Sequence, residues 1–214
     1  MRRIALAGAA VVVVLLVAAQ LVLPGIAAQA LRDRFARNGK VISVEVDAFP
    51  AIELLWHEAD RVEVHLASYR AKPGKLGHLL AQAAEVGTID VTVGVFNTGL
   101  VTLREVTLRK RGDLLAARAT LTDANLRAAL PAGFAVKPVA SGGGRLVLQG
   151  TALGLTADAT LSAQDGKLVI APDVPLIGGL LTLTLFENPH VDVQGVGASP
   201  LPGGFSVFAS ARLR

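Results

Sequence analysis

The sequence predicts an α+β fold: a curved, mostly antiparallel β-sheet wraps a few short helices, preceded by an N-terminal transmembrane or signal helix. Three observations carry this. Twenty uncharged residues, Ile4 to Leu23, follow Arg2-Arg3. Beyond residue 40, apolar side chains recur at every second position in segment after segment. Turn-forming pairs such as Asp165-Gly166 separate those segments.

The N-terminal run, IALAGAAVVVVLLVAAQLVL, has Gln20 as its single polar residue. As a helix it would be about 30 Å long, matching the hydrocarbon core of a bilayer. Arg2 and Arg3 favour a cytoplasmic N-terminus, and the later Arg32, Arg34, Arg37 and Lys40 do not prevent translocation of a large domain. The Ala28-x-Ala30 pattern suits signal peptidase, yet the run exceeds the roughly 7–15 apolar residues of a cleaved signal. Residues 1–30 are therefore expected to be a signal peptide or membrane anchor. Residues 31–214 then form one extracytoplasmic domain, in the periplasm or cell envelope, either tethered or released.

The strands follow from alternation. AFPAIELLWHEADRVEVHLASY (48–69) closes on Val62, Val64 and Leu66, interleaved with Arg61, Glu63 and His65. TIDVTVGVF places Ile89, Val91, Val93 and Val95 on one face; DLLAARATL does so for Leu115, Ala117, Ala119 and Leu121. LGLTADATL aligns Leu153, Leu155, Ala157, Ala159 and Leu161, and LLTLTLF aligns Leu181, Leu183 and Leu185. The last strand carries Phe205, Val207, Ala209, Ala211 and Leu213. Such one-sided alternation marks an antiparallel sheet with a single dry face. One strand changes phase: Val101 and Leu103 are odd-numbered, Val106 and Leu108 even. A β-bulge at Arg104-Glu105 accounts for the slip and bends the sheet. Further hairpins are expected at 110–113 and 141–144.

Helices are expected at 30–37, 74–86 and 122–130. The last has Thr122 as N-cap, Asp123 in its first turn, Leu126 and Leu130 one turn apart, and Pro131 beyond its end. A fourth short helix starts at Pro50 and runs to Trp56 as an apolar knob.

Recognisable chemistry is sparse. Without cysteine the chain has no disulfide and no thiolate metal site. A net charge of +4 with no basic stripe argues against nucleic acid. His57, Glu58 and Asp60 are too close in sequence to converge on a metal, and a solvated turn is the better account. No G-x-S-x-G elbow supplies a nucleophile, and SGGGR lacks the lysine of a phosphate loop. The chain does not read as an enzyme, and no cofactor is expected. Small Ala, Val and Gly side chains on a curved sheet either leave room for an apolar guest or simply pack well. Arg109-Lys110-Arg111, with Arg104 nearby, either docks on anionic membrane or keeps an exposed hairpin soluble.

Read in order, VISVEVDAFPAIELLWHEADRVEVHLASY, ATLTDANLRAALP, DGKLVIAP and SPLPGGFSVFASA resemble the LmeA-like phospholipid-binding family of bacterial envelope proteins. The shared features are an F-P knob before a D-x-V-x-V strand and an L-T-x-x-x-L helix start, spread over most of 31–214. ENPHVDVQGV departs from the pattern, standing where a longer apolar, Pro-rich stretch is expected. The resemblance implies a tubular lipid-binding fold and a non-enzymatic protein holding phospholipid in an elongated apolar cavity. It implies lipid contact for Phe49, Leu54, Leu55, Trp56, Val62, Val64, Leu66, Leu126 and Leu130, with the knob as gate; a hydrophobic staple closing the core is the alternative. Membrane docking would fall to Arg104, Arg109, Lys110 and Arg111. The partners are then phospholipid, the membrane surface and proteins of envelope biosynthesis. The competing function is a scaffolding envelope domain with a filled core and protein partners.

Overall fold

The computed structural model describes residues 20, 22–51, 54, 59–71, 83, 85–99, 101–152, 154–173 and 182–214. Among these, a helix α1 (22–36) leads into β1 (Gly39–Asp47), β2 (Ala59–Arg70), β3 (Val86–Asn97), β4 (Thr102–Arg111) and β5 (Leu114–Thr122). Helix α2 (Asp123–Ala129) precedes β6 (Phe134–Gly142), β7 (Arg145–Ala152), β8 (Leu155–Gln164) and β9 (Lys167–Pro172). The short β10 (Leu183–Phe186) and the long pair β11 (Val191–Leu201) and β12 (Gly204–Leu213) complete the chain. Most of the predicted 74–86 helix and of the N-terminal run lies outside the described residues, although Ala83 is helical. No helix among the described residues is long and apolar enough to cross a membrane.

The strands form two open sheets, β1-β2-β3-β4-β5-β12-β11 and β10-β9-β8-β7-β6. Every pairing is antiparallel except β2 with β3. Parallel neighbours need a crossover of a dozen or more residues, and residues 71–85 supply it. The sheets meet where Val196 and Ala198 of β11 bury against Leu146, flanked by Leu148, Leu161 and Leu168 of one sheet and Val207 and Ala209 of the other. The Ala198 N–H donates to Ser141 Oγ at 3.0 Å across this seam.

Local chemistry follows the sequence closely. Gly112, Gly143, Gly144 and the pair Asp165-Gly166 have positive φ at the expected hairpins. Thr122 caps α2 by accepting the Asn125 N–H at 3.2 Å, and the helix stops before Pro131. Glu105 adopts φ +50° and the β4–β5 register shifts between Arg104 and Thr107, so the predicted bulge is present.

The slip extends well beyond β4. Along β3 the inward side chains run Ile89, Val91, Val93 and then Phe96, while Val95 turns outward. On β2 they run Val62, Val64, Leu66 and then Tyr69; on β1 the register with β2 shifts between Val41 and Ser43. Pairing sets Leu66 beside Val93 beside Val106, and Tyr69 beside Phe96 beside Leu103. The phase change is therefore aligned across adjacent strands, as a crease. Gly94 sits in it, and a Cβ there would meet the Ala67 carbonyl at 2.8 Å. Bulges of this kind increase local bend and twist, which accounts for the curvature.

One expectation needs correcting. Leu183 and Leu185 are exposed (62% and 50%), as is Leu155 (77%), so these leucines do not form the expected dry face; Leu153 and Leu181 lie outside the described residues. β10 is a four-residue edge strand whose register against β9 slips before Phe186. Phe186, of the opposite phase, is the side chain that turns inward.

Candidate functional site

An apolar cavity of about 310 Å³ lies between α1 and the inner face of β2, β3 and β4. Val62, Val64 and Leu66 form one wall, Ile89, Val91 and Val93 the floor, and Leu31 and Phe35 of α1 the roof, with Leu108 and Phe186 at the side. The volume stands at the lower end of the ~300–1,000 Å³ typical of small-molecule sites. From Ile89 to Phe96 the floor runs eight residues, about 23 Å from end to end at the usual strand rise. One leaflet of a bilayer is roughly 15 Å of hydrocarbon deep. The floor is therefore longer than a single acyl chain is deep in a leaflet.

The two ends differ. At the crease end, Tyr69 stacks on Phe96 (centroids 6.0 Å, interplanar angle 8°) and meets Phe35 edge-on at 6.1 Å. These rings close the cavity, and the crease is what turns Tyr69 and Phe96 inward. Beside them Arg34 is the one charged side chain among the described lining residues. At the opposite end Lys110 is 2% exposed and its Nζ donates to the Val86 carbonyl. Burial pushes its ammonium below the ordinary pKa, with Asp113 pulling the other way.

Near that end the chain also holds α1 in place. Gln20 Nε2 donates to the Ala48 carbonyl at 3.0 Å, and Gln20 Oε1 accepts the Ala51 N–H at 2.7 Å. Asp60 Oδ2 accepts the Phe49 N–H at 2.7 Å. Ala27, Ala28, Leu31 and Phe35 then pack on the core of Val46, Ala59, Val62, Val64, Leu66 and Val93. Their spacing is that of one helix face.

The outer face of the same strands is wet. Arg61, Glu63, His65, Asp90, Thr92, Thr107, Arg109 and Arg111 line a shallow polar depression there. Asp90 gathers the charge: Arg111 bonds both its oxygens at 2.9 and 3.0 Å, and Arg61 and Arg109 approach at 3.6 and 3.8 Å. His65 and Glu63 are 3.0 Å apart.

The structure distributes the residues singled out from sequence unevenly. Val62, Val64 and Leu66 line the cavity and Leu54 packs against its core. Phe49 is 79% exposed and lies outside the lining. Leu55 and Trp56 lie outside the described residues. Leu126 and Leu130 sit at α2, half-buried and away from the cavity lining, because α2 packs by β4, β5 and β12; Asn125 Nδ2 donates to the Thr102 carbonyl there. Arg104, Arg109 and Arg111 are exposed, but Lys110 is not. Strand alternation puts Lys110 on the inner face with Val106 and Leu108, so it has no part in an outer basic surface. Phe35, Tyr69, Phe96, Arg34 and Phe186 were missed. The phase change at Gly94 was the available signal for Phe96; nothing local marked Arg34.

Among the described residues no group of His, Asp and Glu is placed to hold a metal ion. A dry, elongated cavity on the inner face of a creased sheet suits a hydrocarbon chain. The model of the LmeA-like phospholipid-binding family matches residues 14–196. The chain belongs to that family. The match takes in the knob, the whole cavity and the start of β11, and it identifies phospholipid binding as the general function. No curated protein and no solved structure matches the chain.

Proposed function

We propose that the protein is a non-enzymatic, extracytoplasmic phospholipid-binding protein that holds a lipid acyl chain between α1 and the inner faces of β2–β4, and carries lipid for building or maintaining the cell envelope. The observation that supports this most is the lining itself: Val62, Val64, Leu66, Val91 and Val93 face a 310 Å³ space, and among the described lining residues only Arg34 and Tyr69 carry polar side-chain atoms. An apolar chain there removes wall and ligand from water together, at roughly 0.8 kcal/mol per buried methylene. The uncharged run after Arg2-Arg3 supports export. The outer Arg104, Arg109 and Arg111 support docking on an anionic membrane surface, where lipid is collected or delivered.

Native mass spectrometry of the full chain, extracted in mild detergent, tests the proposal. A retained phospholipid is the expected result. A lipid-free protein that takes up none from mixed vesicles would overturn it in favour of a scaffolding domain. A reporter fused after Arg214 tests the address, with activity expected only outside the cytoplasm.

A further inference from the structure

We propose that the N-terminal helix is retained in the working protein, and that it seats the knob end of the cavity on the bilayer. The inference deepens the proposed lipid-binding function, since it says where the cavity opens relative to its lipid source. Four observations carry it. Gln20, the single polar residue of the apolar run, spends both ends of its amide on the knob, at Ala48 and Ala51. The Ala28-x-Ala30 pattern, which on sequence alone suits signal peptidase, lies inside α1, with Ala27 and Ala28 packed on the core. Proteolysis favours loosely held chain; here the segment is helical and Ala27 and Ala28 hold it on the core, while Gln29 and Ala30 face outward. Cleavage after Ala30 would leave only residues 31–36 of α1, far short of the ~12–15 residues an isolated helix needs. Leu31 and Phe35 would then lose their seat, and the ring cluster that closes the cavity would lose its third member.

The fourth observation concerns the surface. Val22 (55%) and Ile26 (59%) project from the outer side of α1's first turns, and Phe49 (79%) projects from the knob to which Gln20 is bonded. Three large apolar side chains are thus exposed close to Gln20, and the sequence that precedes Gln20, Ile4–Val17, has no charge. Hydrocarbon is the partner that this run and this patch share, so the patch rests on the membrane that the run enters. The Val86–Lys110 end of the cavity lies on this side, because β2 and β3 both begin there.

The full-length protein with a C-terminal tag, expressed in a bacterium that exports it, tests both parts. Intact mass of the membrane-fraction protein is expected to include the residues up to Ala30, and the protein to resist alkaline extraction. Ala30→Trp, at an exposed helix position and blocking the peptidase, is expected to change the mass only by the substitution. A chain beginning at Leu31 or later overturns retention, and a full chain released by alkali overturns the seating in the bilayer. Because the sequence has no cysteine, Phe49→Cys and Leu155→Cys can each carry one polarity-sensitive fluorophore. In vesicles with a bilayer-embedded quencher, the label at 49 should be quenched and the equally exposed label at 155, on the second sheet, should not. Equal quenching overturns the seating. Lipid content measured on the same samples keeps the two readings apart: a cleaved, lipid-loaded protein defeats this proposal alone, and a retained, lipid-free protein defeats lipid binding alone.

Discussion

Val91→Phe separates a lipid cavity from a filled core by the sign of its effect on stability. Val91 sits mid-floor, paired with Val64 on one side and Leu108 on the other, and is half-buried because it faces the cavity. A cavity of about 150 Å³ is enough to hold a benzene ring, and the space here is about 310 Å³. A phenyl group therefore enters without displacing the walls. At roughly 0.8 kcal/mol per buried CH₂ equivalent, with about half of the added ring buried, the lipid-free variant gains about 1–2 kcal/mol. For a domain of this size that raises Tm by roughly 2–8 °C. In a filled core the same ring would cost about 1–3 kcal/mol by overpacking, and Tm would fall by a similar amount. The assay is a thermal melt of delipidated wild type and variant, paired with native mass spectrometry after exposure to phospholipid vesicles. The expected variant is more stable and binds less lipid. A variant that melts several degrees early, or that is stabilised and still takes up lipid as wild type does, would refute the assignment of this space.

Other outcomes follow from single features. Lys110 has a folded-state pKa lowered from 10.5, so between that lowered value and 10.5 the unfolded chain binds more protons and stability rises with pH; Lys110→Met should flatten that rise in urea melts at pH 8 to 11, and an unchanged slope would clear Lys110 of it. Changing Arg104, Arg109 and Arg111 together to Ser should weaken binding to anionic vesicles, most at low salt since exposed charges are screened within ~8 Å at physiological ionic strength; Lys110→Met should leave that binding alone. Gly94→Ala forces a methyl to 2.8 Å from the Ala67 carbonyl. It should cost about 1–3 kcal/mol and loosen the Tyr69–Phe96 stack, seen as a change in near-ultraviolet circular dichroism; an undisturbed spectrum would show that the crease does not depend on this glycine. If the knob gates the cavity, phospholipid should change the fluorescence of Trp56, the only tryptophan, saturably, and a flat titration would argue for a staple.

Sequence alone determined what local chemistry dictates. Alternation at Val62–Leu66, Ile89–Val93 and Val207–Leu213 assigned strands and inner faces, because a strand has a period of two whatever it pairs with. Thr122 and Pro131 set the ends of α2, Asp165-Gly166 its hairpin, and the odd–even change at Glu105 a bulge that the backbone then shows at φ +50°. The family motifs were legible for the same reason, being short and contiguous. Tertiary structure decided everything that depends on which strand lies beside which. β2 and β3 are parallel, and no pattern within either strand carries that information. The alignment of four separate phase changes into one crease, which swings Tyr69 and Phe96 inward, exists only once registers are set. Lys110 reads as part of a basic turn, yet pairing beyond the bulge makes it an inner-face residue at one end of the cavity. Gln20 reads as a blemish in a membrane span, and folding brings it to Ala48 and Ala51, 28 and 31 residues along the chain. Hydrophobic period fixes the face a side chain takes on its own strand; what that face meets is set by long-range pairing, which sequence spacing does not encode.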